Sequence, residues 1–457
     1  MNAGVAEMKR QMVMVGFLQA QNCTNLAFSW RHPQSRLDFM TADYYQEIGR
    51  ILERGKFHMA FFDDRLAMPD RLGDDHVHAI EHGIRCVKMD PVAVLMAMGM
   101  ATRQLGLGAT ASTTYFEPFH IARQFATVDL MTAGRAAWNV VTSLNDGEAF
   151  NMGRDEVLEH DSRYDRADEF MEVVLGHWDS WDDDALILDR ASGRFGDGHK
   201  VRRLDHVGPN FKSRGPFTVP RSAQGHPVII QAGASGRGRR FAGRWAEVIF
   251  AASHSLAQAQ QAYAATKAEV AAAGRDPERV KICNLVLPIV AASQTEAEDK
   301  FALIEKLPLE VDTLSLLSEA LNFDFASKGM DEVFSDGELQ GMSGIQTIRD
   351  AVIRNSGKAN PTVRDFAHFS GRGRADGAIV GDAKQVADRL EEMFTARACD
   401  GFVVSAAYVP GNYADFVDLV VPELQRRGLF QTEYAGTTLR DNLGLGTAQV
   451  GDWRQPA

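Results

Sequence analysis

Cysteine is scarce in this chain: four residues, Cys23, Cys86, Cys283 and Cys399, are spread over 457 positions and no two form a C-x-x-C pair. Such spacing supplies neither a disulfide framework nor a structural zinc site. The thiols therefore read as free in a reducing compartment, and no metal site is expected. Long apolar runs are also missing. No segment sustains the roughly 18 uncharged apolar residues that a membrane-crossing helix needs, and the N-terminal MNAGVAEMKRQMVMVGF lacks a secretory apolar region of useful length. The expectation is a soluble, cytoplasmic chain without a membrane partner. Positive charge is in deficit: 49 Lys and Arg face 61 Asp and Glu, for a formal net charge of -12. That balance argues against a nucleic-acid surface while leaving a small phosphate-bearing ligand compatible.

What the chain does have is a repeated unit. Short apolar strand candidates lie at 11–19, 59–64, 105–113, 135–142, 227–232, 247–252, 281–290 and 401–406. Helix candidates at 44–55, 91–103, roughly 119–132, 162–181 and from 413 fall between or after them. Strands that are apolar on both faces and separated by helices predict a parallel sheet covered by helices. Eight of them favour a closed, TIM-like (β/α)8 barrel over a doubly wound sheet. More than a hundred residues separate the last two strands, too many for an ordinary connection. The reading is one barrel domain over 1–457, with an inserted helical region at roughly 295–375 and a C-terminal extension at roughly 428–457.

In such a barrel the chemistry sits where the strands end. Asn22 and Asn25, within NCTN, follow the first strand. Asp63 and Asp64 end the second, Ser112 to Tyr115 the third, Asn139 and Thr142 belong to the fourth, and Gln231 and Ser235 to the fifth. The run QAGASGRGRRFAGRWAE after the fifth strand places glycines before a helix, whose free N–H groups suit a phosphate. Ser235 adds a hydroxyl and Arg237, Arg239 or Arg240 adds charge. The run is neither G-x-G-x-x-G opening an N-terminal unit nor a P-loop with its lysine, so nicotinamide and triphosphate domains are disfavoured.

The segments WNVVTSLNDGEAFNMG, EVLEHDSRYDRADEF, GLGATASTTYFEPFHIARQFATVDLMTAGR and QAGASGRGRRFAGRWAE together resemble the bacterial luciferase-like flavin-dependent monooxygenases. The nearer likeness is to the branch with the dibenzothiophene sulfone, nitrilotriacetate and long-chain alkane monooxygenases. It runs from about residue 11 to VVPELQRRGLFQTEYAGTTLRDNLGL. The resemblance implies a (β/α)8 barrel with insertions, assembled as a homodimer or homotetramer. It implies binding of reduced FMN, with O2 as cosubstrate and NADH used by a separate flavin reductase that passes the reduced FMN by diffusion. By the same likeness Asp64 lies near the flavin, and Ser112 and Asn139 face it. His160 and Tyr164 approach the ribityl phosphate, and Ser235 binds that phosphate.

The chain departs from its sulfone-oxidising relatives where they carry histidine: it has Asn25 and Ala27 after the first strand, and LSLLSEALNFDF supplies no counterpart to a further histidine. Asparagine exchanges hydrogen bonds but does not titrate near neutral pH. Asn22 and Asn25 are the candidates for orienting the substrate or the reacting oxygen. Phe17, Phe28 and Phe62 are the candidate apolar pocket wall, and Trp138 reads as core packing. Arg85 and His82, after the second strand, are candidates to engage an anionic substrate, with a solvated loop as the other reading. The expected reaction oxygenates a small aromatic or organosulfur compound, with C–S, C–N or carbon–halogen cleavage when oxygen reaches the carbon bearing the leaving group. The alternative is a related barrel that transfers hydride with a deazaflavin.

Overall fold

The computed structural model describes residues 10–19, 21, 22, 24, 26–233, 236–253 and 255–454. Its centre is a closed barrel of eight parallel strands: β1 (Val13–Gln19), β2 (Met59–Asp63), β3 (Gly106–Ser112), β4 (Ala136–Val141), β5 (Val228–Gln231), β6 (Val248–Ala251), β7 (Lys281–Val286) and β8 (Gly401–Val404). Each strand pairs with its sequence neighbours, and β1 pairs with both β2 and β8, so no edge is left open. This is the TIM-like class that the apolar runs predict.

Period-two alternation divides each strand between two cores. Val13, Val15, Met59, Phe61, Ala137, Val228, Ile230, Val248, Cys283 and Val403 fill the barrel interior. Leu18, Phe62, Ala109, Trp138 and Val404 point outward into the layer beneath the helices. Trp138 is fully buried there; its indole N–H donates to the Ala111 carbonyl (3.1 Å) and its ring lies between Phe125 and Phe170.

Helices α1 (Ala42–Arg54), α2 (Pro91–Met100), α3 (Pro118–Met131), α4 (His160–Trp178), α5 (Gly236–Trp245) and α6 (Leu256–Ala272) follow β1 to β6 in turn. Their starts are written locally. Asp90 caps α2 by accepting from the Val92 and Ala93 N–H groups, with Pro91 at its first position. Glu159 accepts from the Ser162 N–H, so α4 begins at His160 rather than at 162. That places His160 and Tyr164 together on its first turns.

The seventh strand ends earlier than its apolar run predicts. After Val286 the chain leaves the barrel, because Pro288 has no N–H for the ladder, and Pro288–Ala291 pairs instead with Ile379–Asp382 outside it. Between those two strands lie α7 (Glu310–Leu321), α8 (Gln346–Ser356) and α9 (Val363–Phe369), packed around a core of their own that includes Leu317, Phe325, Phe334 and Phe366. Helix α10 (Ala383–Thr395) then leads to β8. At the N-terminal end of the barrel, Leu439, Leu443 and Leu445 cap the interior core, anchored by Arg440, which donates to Glu247 (2.7 Å) and to the His226 carbonyl (3.1 Å).

The closing seam leaves no room for a side chain on Gly401, where a Cβ would lie 2.0 Å from the Val13 carbonyl oxygen. Gly401→Ala should destabilise the chain by about 3 kcal/mol in urea unfolding, the upper range for overpacking. Gly198→Ala, where no described residue lies within 4 Å of the added carbon, should leave the midpoint unchanged. Equal midpoints for the two variants would mean that the seam yields.

Candidate active site

The interior core ends upward in three aromatic rings. Phe17 stacks on Phe61 with centroids 5.7 Å apart, and Phe250 meets Phe61 edge-on at 4.6 Å. Phe61 is buried, whereas Phe17 and Phe250 are half-buried, so these rings form an apolar floor open on its upper side. One step further along the same inward faces come Gln19, Asp63, Thr110, Ser112 and Asn139.

These polar ends are bonded to one another in chains that stop short of completion. Gln19 Nε2 donates to Asp63 (2.8 Å), and Lys88 Nζ donates to the other Asp63 oxygen (2.7 Å). Asn139 Nδ2 donates to Thr110 Oγ1 (2.9 Å), which donates onward to the Phe62 carbonyl (2.9 Å). Ser112 Oγ accepts from the Ser143 hydroxyl (3.0 Å) and from the Thr114 N–H (3.1 Å). Left over are Asn139 Oδ1 and Gln19 Oε1, buried acceptors without a partner among the described residues. A buried acceptor left unmet costs about 1–3 kcal/mol, so the rim is built to receive hydrogen-bond donors.

Asp64, next to this row, is half-buried and accepts from the Arg65 N–H (2.8 Å). Burial raises its carboxyl to about 6, with Asp63 and Asp90 pushing the same way and Lys88 opposing. It is therefore a carboxyl that still exchanges a proton near neutrality.

A second polar cluster lies where α4 and α5 begin. The His160 and Tyr164 rings are 5.1 Å apart, and Tyr164 packs against Phe241 of α5 at 5.6 Å. The Arg237 guanidinium sits 5.5 Å from the centre of the Tyr164 ring and pairs with Asp165 (3.0 Å) and Asp168 (2.6 Å). Those two carboxylates already engage the Arg237 charge, so the sequence reading of Arg237 as a phosphate partner gives way to an ion pair between helices. At Gly236, the first residue of α5, a Cβ would meet no atom of the described residues within 4 Å. The first N–H groups of a helix with open space before them fit a phosphate. Ser235, which immediately precedes α5, lies outside the described residues, as does Asn25.

The remaining candidates divide. Asn22 is buried; its Nδ2 donates to Ser29 Oγ and its carbonyl accepts from the Tyr44 hydroxyl (3.1 Å), which pins it between α1 and the turn Ala27–Arg31. Its Oδ1 has no partner among the described residues. Phe17 belongs to the floor. Phe62 faces outward against Tyr45 at 5.9 Å, because even-numbered positions of β2 point to the helices, so it is corrected from pocket wall to packing layer. Phe28 is likewise corrected: it is fully buried in a separate cluster with Ile289, Ile304 and Tyr408. Phe61, Phe250, Gln19 and Lys88 were missed. The first two carry a signal only once the inward register is known, and Lys88 reaches Asp63 across 25 residues.

The insertion is fastened over one side of this mouth. Arg31, after β1, holds Asp312 of α7 with two bonds of 2.6 and 2.9 Å. Arg65, after β2, pairs with Glu319 of the same helix and donates to Asn145 Oδ1 (2.8 Å), while Asn145 Nδ2 donates to the Glu319 carbonyl (3.1 Å). On the short helix Val77–His82, His78, Glu81 and His82 bring three ligand-type atoms within 4.8 Å of one another.

A sequence profile of the family described as luciferase-like monooxygenase matches residues 23–418. The chain is 45% identical over 455 residues to dibenzothiophene-sulfone monooxygenase of Rhodococcus erythropolis, covering 97% of this chain and 98% of that protein. It is 40% identical to nitrilotriacetate monooxygenase component A of Aminobacter aminovorans, covering 91% and 93%. Among solved structures, riboflavin lyase with modified FMN and riboflavin superposes with a TM-score of 0.86 at 31% identity, covering 95% of this chain and 96% of that one.

A test of the rim follows from Asp64. Its raised carboxyl contributes stability that is fully present below its unfolded value of 3.8 and is lost as pH rises through about 6. Asp64→Asn abolishes that dependence. The two proteins should melt together near about pH 4, and the variant should melt at the higher temperature by about pH 7. A constant difference across that range would show that Asp64 is not the group losing its proton.

Proposed function

We propose that this chain, which belongs to the luciferase-like monooxygenase family, is the oxygenating component of a two-component system. It takes reduced FMN from a separate flavin reductase that uses NADH, and it oxygenates a small aromatic or organosulfur substrate with O2. The observation that carries the cofactor assignment is the buried, unmet acceptor Asn139 Oδ1 above an apolar floor, on the same side of the barrel as the open start of α5. A flat ring with N–H donors at one end and a phosphate at the other suits both features.

Bound reduced FMN and O2 supply one oxygen atom to the substrate and release the other as water. The chain's own groups do the rest. Phe17, Phe61 and Phe250 exclude water below the ring. Asn139, Ser112 and Asp64 fix its polar edge, with Asp64 able to hold a proton there. His160, Tyr164 and Ser235 hold the phosphate end, and Asn22 and Asn25 orient the substrate. Oxygen delivered to a carbon bearing sulfur, nitrogen or halogen makes that substituent a leaving group. The word component in the name of the nitrilotriacetate relative supports a divided system, and assembly as a homodimer or homotetramer belongs to the same reading.

The deciding experiment supplies the chain with FMN, O2, NADH and dibenzothiophene sulfone or another organosulfur compound, with and without a flavin reductase. Product should form only with the reductase; NADH consumption coupled to product in its absence would overturn the divided arrangement. Ser235→Ala should weaken FMN binding by about 1.5–3 kcal/mol, the loss of one charge-assisted hydrogen bond, and leave riboflavin binding unchanged. An unaltered preference for FMN over riboflavin would remove Ser235 from the phosphate site.

A further inference from the structure

Across the mouth from the proposed phosphate end, the turns that carry two arginines, Arg85 and Arg372, are both anchored through a third, Arg31, and through α7. The turn at 82–85 is nailed to the segment after β1: Trp30 Nε1 and Arg31 both donate to the His82 carbonyl, at 2.9 and 3.0 Å. A Cβ on Gly83 would lie 2.6 Å from Trp30 Nε1, so this turn has no slack. Arg85 leaves it with a φ of 50°, a conformation that a non-glycine residue adopts only when its surroundings impose it. The same Arg31 guanidinium that grips the His82 carbonyl also grips Asp312 of α7. On the next residue, Thr313, rests the turn carrying Arg372: Thr313 Oγ1 donates to the Arg372 carbonyl (3.3 Å), and a Cβ on Gly373 would lie 2.7 Å from that hydroxyl. Ile84 also packs on Leu316 of the same helix, so Arg31 and α7 hold the Arg85 turn and the Arg372 turn on one support.

Three carboxylates near these turns are already engaged, and one of them, Asp63, also attracts the Arg85 guanidinium. Asp63 is held by Lys88 and Gln19, Asp312 by Arg31, and Glu319 by Arg65. Arg372 is half-buried and makes no side-chain hydrogen bond or ion pair with any described residue. Burial and the facing Arg85 lower its guanidinium to about 10, and Arg85 and Arg372 both act against Arg65. Like charges at close quarters in a shielded site are stabilised by an anion placed between them.

We infer that Arg85 and Arg372 form an anion-binding subsite at the barrel mouth, which takes the carboxylate or sulfonate group of an organic acid substrate. This rests on the monooxygenase reading and adds the substrate's charge to it. The planar guanidinium fork suits such oxyanions, and the subsite lies across the mouth from α5. The apolar part of the acid would then extend toward Phe17 and Phe250.

The probes are 2-naphthoate, naphthalene-2-sulfonate and the neutral 2-naphthamide, titrated calorimetrically into the full chain with and without FMN. The two anions should bind about 10- to 100-fold more tightly than the amide. Arg372→Gln and Arg85→Gln should each erase that preference, Arg372→Lys should keep part of it, and Arg364→Gln, whose partner is Asp331 on the outer surface of the insertion, should match the wild type. FMN affinity should be the same in all of them. Equal binding of amide and acids by the wild type, or a preference that survives both glutamine substitutions, overturns the subsite. A fall in FMN affinity in Arg372→Gln also overturns it, by assigning the pair to the cofactor's phosphate. Failure of the wild type to bind FMN would defeat the monooxygenase reading instead, since the anion preference is read separately in the chain without FMN.

Discussion

The rest of the molecule depends on the hydrogen bonding of β1 to β2 on one side and to β8 on the other. Closure removes every strand edge and forces all eight parallel strands to end on one rim. Residues far apart in the chain, from Gln19 to Asn139 to Phe250, become neighbours for that reason alone. Closure also fixes which side chains point inward, and the C-terminal leucines at 439, 443 and 445 seal the opposite end. The Asn139 oxygen inside that wall is a buried acceptor with no partner among the described residues.

The strand positions were legible because eight short apolar runs are separated by helical periodicity and turn residues. The facing of each side chain was not. A barrel strand covered by helices is apolar on both sides, so its sequence carries no alternation to read. Phe62 and Phe61 are chemically identical neighbours, yet one packs on Tyr45 and the other on Phe250. Phe28 could not be placed because its partners, Ile289, Ile304 and Tyr408, come from segments brought in by tertiary structure. His160 and Tyr164 were singled out only through the EHDSRY resemblance, and the two rings lie together beside α5. The Lys88–Asp63 pair and the Arg31–Asp312 pair lie beyond local reading, since no spacing rule links residues 25 or 281 apart.

Buried polarity is distributed unevenly around the mouth. On the side of β4 and β5, neutral amides and hydroxyls dominate and helix α5 opens toward solvent. On the side of β1 and β2, formal charges prevail: Arg31, Asp63, Arg65, Lys88, Asp312 and Glu319 form ion pairs, most of them bridging barrel loop and insertion. Breaking one such pair leaves a charge stranded in a poorly hydrated place, at a cost of about 3–5 kcal/mol.

The two strands outside the barrel, Pro288–Ala291 and Ile379–Asp382, lie side by side and in the same direction. The chain therefore departs for the insertion and comes back at a single doorway, and 292 to 378 lie between its two posts. Length gained or lost between 292 and 378 is therefore absorbed outside the ladder, since none of those residues pairs with a strand of the central barrel.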